Sequence, residues 1–451
     1  MNHQRKYLSI VLFFFLGLYS LNSHTQSEVG FSEEKILIPE GTSLAGYLPR
    51  RVFRNFDSPY ASYFKSSVGF SNLPRTKVIA LKNHSQIILI ATIDVIAIDP
   101  EMRKQAETLI QSKFKEKINL YLIATHTHSG PGGFSKFELW QHLAIDKFNN
   151  QIFDLFLNSI IDSSTQAISN LKKAKMSFQQ IAIDDVTYNR RRSLFLNPKA
   201  NLITFLDNDN KKIVSLFNFP IHGTVLGPKN LYLSGDLPNL LEVKLQKSFQ
   251  HPFMFISGAA GDIGPKLDKY KYFELDSAGD FVLMETLVEN IVGQVISKWN
   301  QTDSSELKTI SHQTFKIDLP KANVNLSHCL EFVLPKKFQW ISKLFFNVSM
   351  PPDLNKPMEL SIMKWNNLHF YLIPGEPITE IGKLIESKSL ENNLSNPILF
   401  TLANSYYGYI LTQKEFQRGG YESCNSFYGS SYGENFLSGV YSSIQKFRSI
   451  Q

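Results

Sequence analysis

His126 and His128 stand two apart, where an apolar run, Ile118–Ala124, gives way to Thr125-His126-Thr127-His128-Ser129-Gly130-Pro131-Gly132-Gly133. Residues i and i+2 of a strand share a face. Two imidazoles at this spacing therefore reach one cavity if the extended geometry persists. The glycines that follow bend the chain sharply and let backbone approach a ligand closely. Such a pair suits metal binding, and it also suits two hydrogen-bonded structural histidines. His222, after Ile213–Phe219, and Glu376, after His369–Pro374, widen the set. Zinc centres that do chemistry combine nitrogen and oxygen ligands and keep one position open for water. The metal lowers the pKa of that water, which can then attack a carbonyl. Taken singly, His222 also fits a satisfied core histidine, and Glu376 an acid facing the dipole of a helix N-terminus.

The elements that must position these residues are legible as strand-like runs rich in Ile, Val, Leu and Phe. They are Lys77–Leu81, Gln86–Ile98, Ile118–Ala124, Leu202–Leu206, Ile213–Phe219, Pro252–Ile256, His369–Pro374 and Pro397–Leu402. Helical periodicity marks Glu101–Phe114, Phe153–Leu171, Asn239–Phe249, Phe281–Trp299 and Pro377–Ser387, with Pro377 expected in a first turn. Asp207-Asn208-Asp209-Asn210 reads as a hairpin connection. The alternation predicts an α/β fold, with mixed β-sheets covered by helices, as a single large catalytic domain over residues 27–451. Thr125–Gly133, His222, Gly258–Pro265 and Gly375-Glu376 all fall where strand-like runs stop. Strand carboxyl ends are where open α/β sheets place ligands, so one site assembled from four strand ends is expected.

Arg5 and Lys6, then an apolar run from Tyr7 to Leu21, then a polar stretch to Gln26, have the plan of a signal peptide over residues 1–26. The mature protein is therefore expected to be secreted, periplasmic or at the cell surface. The formal charge of +7 drops to +5 as Arg5 and Lys6 leave, and the lysines are dispersed. No motif supports nucleic-acid binding, and no protein partner is implied. Cys329 and Cys424 are the 2 cysteines; they could pair in an oxidising compartment or stay apart. Phe332–Met350 mixes Phe338, Trp340, Phe345 and Phe346 with Lys336, Lys337 and Lys343. That mixture suits a membrane interface, and equally a core-facing segment with solvated lysines.

The nine residues Thr125–Gly133 resemble the signature of the neutral (non-lysosomal) ceramidases, zinc amidases that cleave the N-acyl bond of ceramide. Other pieces follow in that family's order: Asn189-Arg190, Phe219-Pro220-Ile221-His222, Gly261-Asp262-Ile263-Gly264-Pro265, Ile373-Pro374-Gly375-Glu376, and the tyrosine-rich stretch Asn404 to Glu422. The resemblance runs from about Gly41 to about Tyr428. It implies zinc bound by His126, His222, Glu376 and Tyr421, with His128 beside the metal to handle a proton or hold the substrate carbonyl. Arg190 and Tyr409 would bind or polarise the substrate. On the residues alone, Tyr421 also fits a buried aromatic with a satisfied hydroxyl. The implied function is a secreted zinc amidohydrolase, acting by a zinc-bound water on ceramide or a related N-acyl lipid met at a membrane surface.

Two departures qualify this. The serine of the family's Gly-Asp-x-Ser-Pro loop is Gly264 here, which excludes a serine mechanism at that position and puts ceramide itself in question. Asp262 either orients a ligand histidine or caps its loop. The family continues into an immunoglobulin-like C-terminal domain, for which the residues after Tyr428 leave no room, so a catalytic domain alone is expected. Two other functions fit: a zinc esterase or amidase with a non-ceramide substrate, and an inactive secreted binding protein.

Overall fold

The computed structural model describes residues 26–193, 195–267, 277–300, 303–333, 337, 340 and 347–450. The expected signal peptide lies outside the described residues, as does most of the aromatic-basic stretch. Of the latter's named residues only Lys337 and Trp340 are described, and Trp340 is exposed.

Two sheets dominate. The longer contains β1 (Glu28–Lys35), β2 (Arg75–Asn83), β3 (Gln86–Ile93), β4 (Lys117–Ala124), β5 (Lys172–Ala182), β7 (Lys199–Asp207), β8 (Lys212–Phe219) and β9 (Phe253–Ser257), with β6 (Thr187–Asn189) and β10 (Ile263–Pro265) forming a small pair apart. Its order is β4-β3-β2-β1-β5-β7-β8-β9, and β11 (Ser305–Glu306) pairs with β5. The outermost pairs, β3/β4 and β8/β9, are parallel, while the pairs between them are antiparallel. Each parallel pair is joined by a crossover helix, Pro100–Gln111 or Asp236–Phe249. The second sheet runs β12 (Ile310–Ile317), β15 (Met358–Trp365), β16 (Leu368–Ile373), β18 (Pro397–Thr401), while β13 (Asn323–Asn325) and β14 (Asn347–Ser349) pair apart from it. Its parallel pair β16/β18 is again bridged by a helix, Thr379–Glu391.

Alternation along the strands sorts side chains into an inner core and outer ones. Ile79 and Leu81 of β2, Ile88 and Ile90 of β3, Met254 and Ile256 of β9, and Phe370 and Leu372 of β16 share the inner core between the sheets. Their neighbours Val78, Ala80, Leu89 and Ala91 pack outward on helices Pro100–Gln111 and Asn150–Ser169. Phe253 and Phe255 meet helices Asp236–Phe249 and Ser277–Lys298. Tyr371 and Ile373 meet Thr379–Glu391 and Tyr432–Ile450. Both faces are buried, so these strands read as nearly continuous apolar runs. The mixed α/β class expected above is what the chain adopts.

β18 closes the molecule. Past its end, Leu402–Asn404 hydrogen-bonds to β4: Ala124 N donates to Leu402 O at 3.2 Å and Asn404 N to Leu122 O at 2.7 Å. On its other side Asn218 Nδ2 donates to Leu399 O (2.9 Å) and Thr401 Oγ1 to Ser257 O (3.2 Å). The carboxyl ends of all three parallel pairs are thereby drawn together.

Three expectations receive local answers. Asp207 to Asn210 is the β7–β8 hairpin, with Asp207 Oδ1 accepting from Asp209 N and Lys211 N. Cys329 and Cys424 form a disulfide. Pro377, expected in a helical first turn, instead lies with Glu376 in a two-residue strand, β17 (Glu376–Pro377), parallel to β19 (Tyr409–Ile410). Its helix begins at Thr379, because Asp262 accepts from both Thr379 N and Thr379 Oγ1 at 2.8 Å and caps the helix there.

Candidate metal centre

His126 sits two residues past β4, His222 three past β8 and Glu376 three past β16, so each parallel pair delivers one residue to one place. Their donor atoms all lie within 4.8 Å of one another, and the three residues are 4 %, 2 % and 3 % exposed. His126 Nε2 is 3.3 Å and His222 Nε2 is 3.0 Å from the same Glu376 oxygen, Oε2.

Backbone carbonyls orient both imidazoles. His126 Nδ1 lies 2.6 Å from Ile96 O, and His222 Nδ1 lies 3.0 Å from Ile263 O. A carbonyl can only accept, so each Nδ1 carries the proton and each Nε2 lone pair faces the cluster, as a metal ligand requires. Tyr406 donates from its hydroxyl to Glu376 Oε1 at 2.6 Å. This donor set suits a divalent ion of the zinc type.

The charges fit as well. Burial raises the Glu376 carboxyl, but the two imidazoles more than offset this and hold it well below the usual carboxylate range. Burial lowers His126, yet the charge and hydrogen bond of Glu376 outweigh it and raise that histidine. His222 is lowered to about 4 by burial and by the Arg190 charge. The Glu376 carboxylate thus favours positive charge beside it, which a bound cation would supply.

His128 is placed otherwise than strand alternation suggests. His126 adopts a φ of +63°, so the extended geometry ends there. The His128 ring meets His126 edge-on, with Nε2 atoms 3.4 Å apart. Burial and the two neighbouring histidines push its pKa well below the ordinary value, so it stays neutral. Gly46, at φ +105°, makes room: a Cβ there would lie 2.9 Å from His128 Cβ.

Arg190 Nη2 donates to Gly261 O (2.6 Å) and lies 3.5 Å from the Tyr409 hydroxyl. That hydroxyl is in turn 3.4 Å from His222 Nε2. Tyr421 lies edge-on to Tyr409 with centroids 5.8 Å apart, and it lines the cavity. Burial, then the Glu376 charge, raises its hydroxyl to about 12. Asp262 touches neither ligand histidine. Besides capping the helix it accepts from Asn189 Nδ2 at 2.6 Å, so it organises the loop, while its neighbour Ile263 orients His222.

Several contributors carried no signal in the sequence. Arg50 is wholly buried and donates to the carbonyls of Ala45 (3.0 Å), His128 (2.5 Å), Gly227 (3.0 Å) and Pro228 (3.2 Å), which fixes the loop after His128. Arg191 pairs with Glu415 (2.8 Å) and Glu422 (2.9 Å), and Glu422 also reaches Arg190 at 3.3 Å. An isolated arginine in a sequence does not reveal a buried partner, so neither was foreseeable.

A cavity of ≈ 2290 Å³ opens over the cluster. His126, His128, Arg190, Glu376, Tyr409 and Tyr421 line it, and Trp140, Leu139, Leu143, Met350, Leu354 and Phe427 are among the apolar walls. Asp99 shapes one wall. It caps helix Pro100–Gln111 with one oxygen and accepts from Ser135 Oγ and Lys136 N with the other. Gly264 also lines the cavity, and a Cβ there would meet the Tyr188 ring at 2.9 Å.

Comparison with known proteins agrees with the resemblance noted above. Residues 59–269 match the family described as neutral/alkaline non-lysosomal ceramidase, N-terminal. The neutral ceramidase of Pseudomonas aeruginosa is 24% identical over 168 residues, which is 33% of this chain and 25% of that protein. That of Oryza sativa subsp. japonica is 25% identical over 193 residues, 38% of this chain and 24% of its own length. The matched segments thus span about a quarter of these curated relatives. The crystal structure of the Pseudomonas aeruginosa enzyme superposes with a TM-score of 0.75 at 15% identity, covering 93% of this chain and 75% of that one. A solved ceramidase complexed with C2 gives 0.76 at 14% identity, over 94% and 75%. At these identities the structural likeness is one of fold.

Proposed function

From the match of residues 59–269 to the neutral/alkaline non-lysosomal ceramidase family we propose that the chain is a zinc-dependent amidohydrolase cleaving the N-acyl amide of ceramide or a related lipid. The observation that carries this reading is the convergence of His126, His222 and Glu376, two of which, His126 and Glu376, line a cavity with apolar walls. We assign zinc to those three residues. The resemblance adds Tyr421 as a fourth ligand; its ring packs edge-on against Tyr409, whose hydroxyl is 3.4 Å from His222 Nε2. A divalent ion there would acidify a bound water and polarise the substrate carbonyl.

The chain's own residues supply the rest. Neutral His128, adjoining His126, accepts the proton of the attacking water and returns it to the leaving amine. Arg190 and the Tyr409 hydroxyl face the same floor and stabilise the oxygen on which negative charge develops. The apolar walls take up acyl and alkyl chains and exclude bulk water. Gly264 offers no hydroxyl, so no nucleophile comes from that loop.

Export to an oxidising compartment is part of the proposal; the Cys329–Cys424 disulfide supports it. So does the apolar N-terminal run that reads as a signal peptide. The deciding experiment measures fatty-acid release from ceramide and from a panel of other N-acyl lipids and esters, with elemental analysis of bound metal. Release that stops on chelation, returns with zinc and is lost in His126→Ala is expected. Chelator-insensitive cleavage overturns the mechanism, and ester-only cleavage overturns the substrate class.

A further inference from the structure

The chain from Arg50 to Lys65 forms a hairpin beside the cavity. Arg51 bridges Phe64, Val52 N donates to Tyr63 O and Asn55 N to Ser62 O, both at 2.8 Å. Its root is anchored. Arg50 is buried at the carbonyl of His128, the amides of Ser62 and Tyr63 donate to the Asp146 carboxylate, and the Tyr63 ring lies on His142 with centroids 4.8 Å apart. His142 and the preceding Leu48 and Pro49 line the cavity.

The tip is built the opposite way. Phe53 is 99 % exposed and Phe56 78 %, with the Arg54 guanidinium 4.8 Å over the Phe56 ring. Arg51 and Lys65 are exposed as well, and Asp57 is the one acid in the stretch. Two aromatic rings held in water on an anchored hairpin do nothing for the core. Large exposed apolar groups flanked by cations suit insertion at a lipid interface, where rings enter the headgroup boundary and arginines meet anionic headgroups.

We propose that this hairpin tip, Phe53 and Phe56 with Arg51, Arg54 and Lys65, docks the protein on an anionic lipid bilayer. The lipid is favoured over a second copy of the chain because Leu48 and Pro49, just before the hairpin, line the cavity, and because the charges on the hairpin are positive but for Asp57. A substrate leaving the bilayer would then pass along the hairpin without crossing water. The inference deepens the reading of the cavity as a lipid site, but its test does not depend on catalysis.

Flotation with vesicles of phosphatidylcholine, alone or containing phosphatidylglycerol and in either case lacking any N-acyl lipid, reads docking directly. Wild-type protein should float with the anionic vesicles and more weakly with phosphatidylcholine alone. Phe53→Ser/Phe56→Ser should reduce the bound fraction about tenfold or more, with Arg54→Glu intermediate. Because both rings are exposed, the double variant should keep its circular dichroism and its turnover of a water-soluble short-chain substrate. Equal flotation of wild type and double variant overturns the proposal, as does no flotation of wild type. A hairpin-dependent dimer in light scattering overturns it in favour of self-association. Hairpin-dependent flotation without hydrolysis of any N-acyl lipid would leave docking standing and remove the enzymatic reading alone.

Discussion

The Tyr406 hydroxyl and Glu376 Oε1 are 2.6 Å apart, and this bond turns the other carboxylate oxygen, Oε2, toward both His126 and His222. The phenol carries its proton, because burial and then the Glu376 charge raise its pKa well above the ordinary value. Partners of this kind orient metal ligands, and removing one typically costs 10–100-fold in affinity. Tyr406→Phe should therefore weaken divalent-metal binding by about tenfold or more with little change in thermal stability. Competition against a chromophoric chelator measures it, and wild-type affinity would show that Glu376 is held by its backbone alone.

Arg191 is the hub of a buried ion network, with Glu415 and Glu422 as partners. Removing one member leaves buried charge uncompensated, at about 3–5 kcal/mol. Arg191→Met should lower the urea midpoint accordingly. Because Glu422 also pairs with Arg190, kcat should fall in the residual folded protein. An unchanged midpoint would show that Arg418, 2.7 Å from Glu415, and Arg190, 3.3 Å from Glu422, suffice for the two carboxylates.

Gly264 and Tyr188 share one space, since a Cβ at 264 would meet the Tyr188 ring at 2.9 Å. Tyr188 is 43 % exposed, so its ring can swing away. Gly264→Ser should then fold normally while reshaping the cavity wall, with KM altered more than kcat. Tyr188→Ala should change KM similarly, and the double variant should show no further change. Independent, additive effects in that cycle would remove the steric coupling.

The pH dependence of stability should carry the mark of His312, which touches Tyr121 and Gln86. Burial, aided by Lys117, lowers its pKa to about 4. In the unfolded chain it takes up a proton near 6.5, whereas the folded protein resists until about 4. Unfolding therefore binds a proton between these values, and this contribution to stability is lost as pH falls from 6.5 to about 4. Thermal melts of wild type and His312→Gln should diverge less at pH 4 than at pH 7. A constant difference would count against the assignment.

Much of this architecture could be read from the chain. Strands buried on both faces announce themselves as unbroken apolar runs, and each such run is a strand. β1, β5, β12 and β15 escaped notice because Glu33, Lys173, Gln180, Lys316 or Glu359 interrupts the pattern on a face only partly covered. Helix Tyr432–Ile450 was hidden by its serines and glycines. For the site, spacing placed His126 and His128 together but for the wrong reason, since a left-handed turn rather than strand alternation aims them. The hydrogen-bond partners of the Arg50 and Arg191 guanidinium groups lie more than 70 residues away, Ala45 excepted, and no local pattern encodes such distances.

The placement of β18 against both β4 and β9 also bears on how the protein reaches its native state. His126, His222 and Glu376 come from three crossover units that can each form early from nearby sequence. Bringing them together requires closing long loops, whose entropy is lost before any contact offsets it. Seating β18 is then expected late in folding, and high-affinity metal uptake should rise only with it. In refolding followed by stopped flow, metal capture would trail the recovery of secondary structure, making the ion a timer for the last event in assembly.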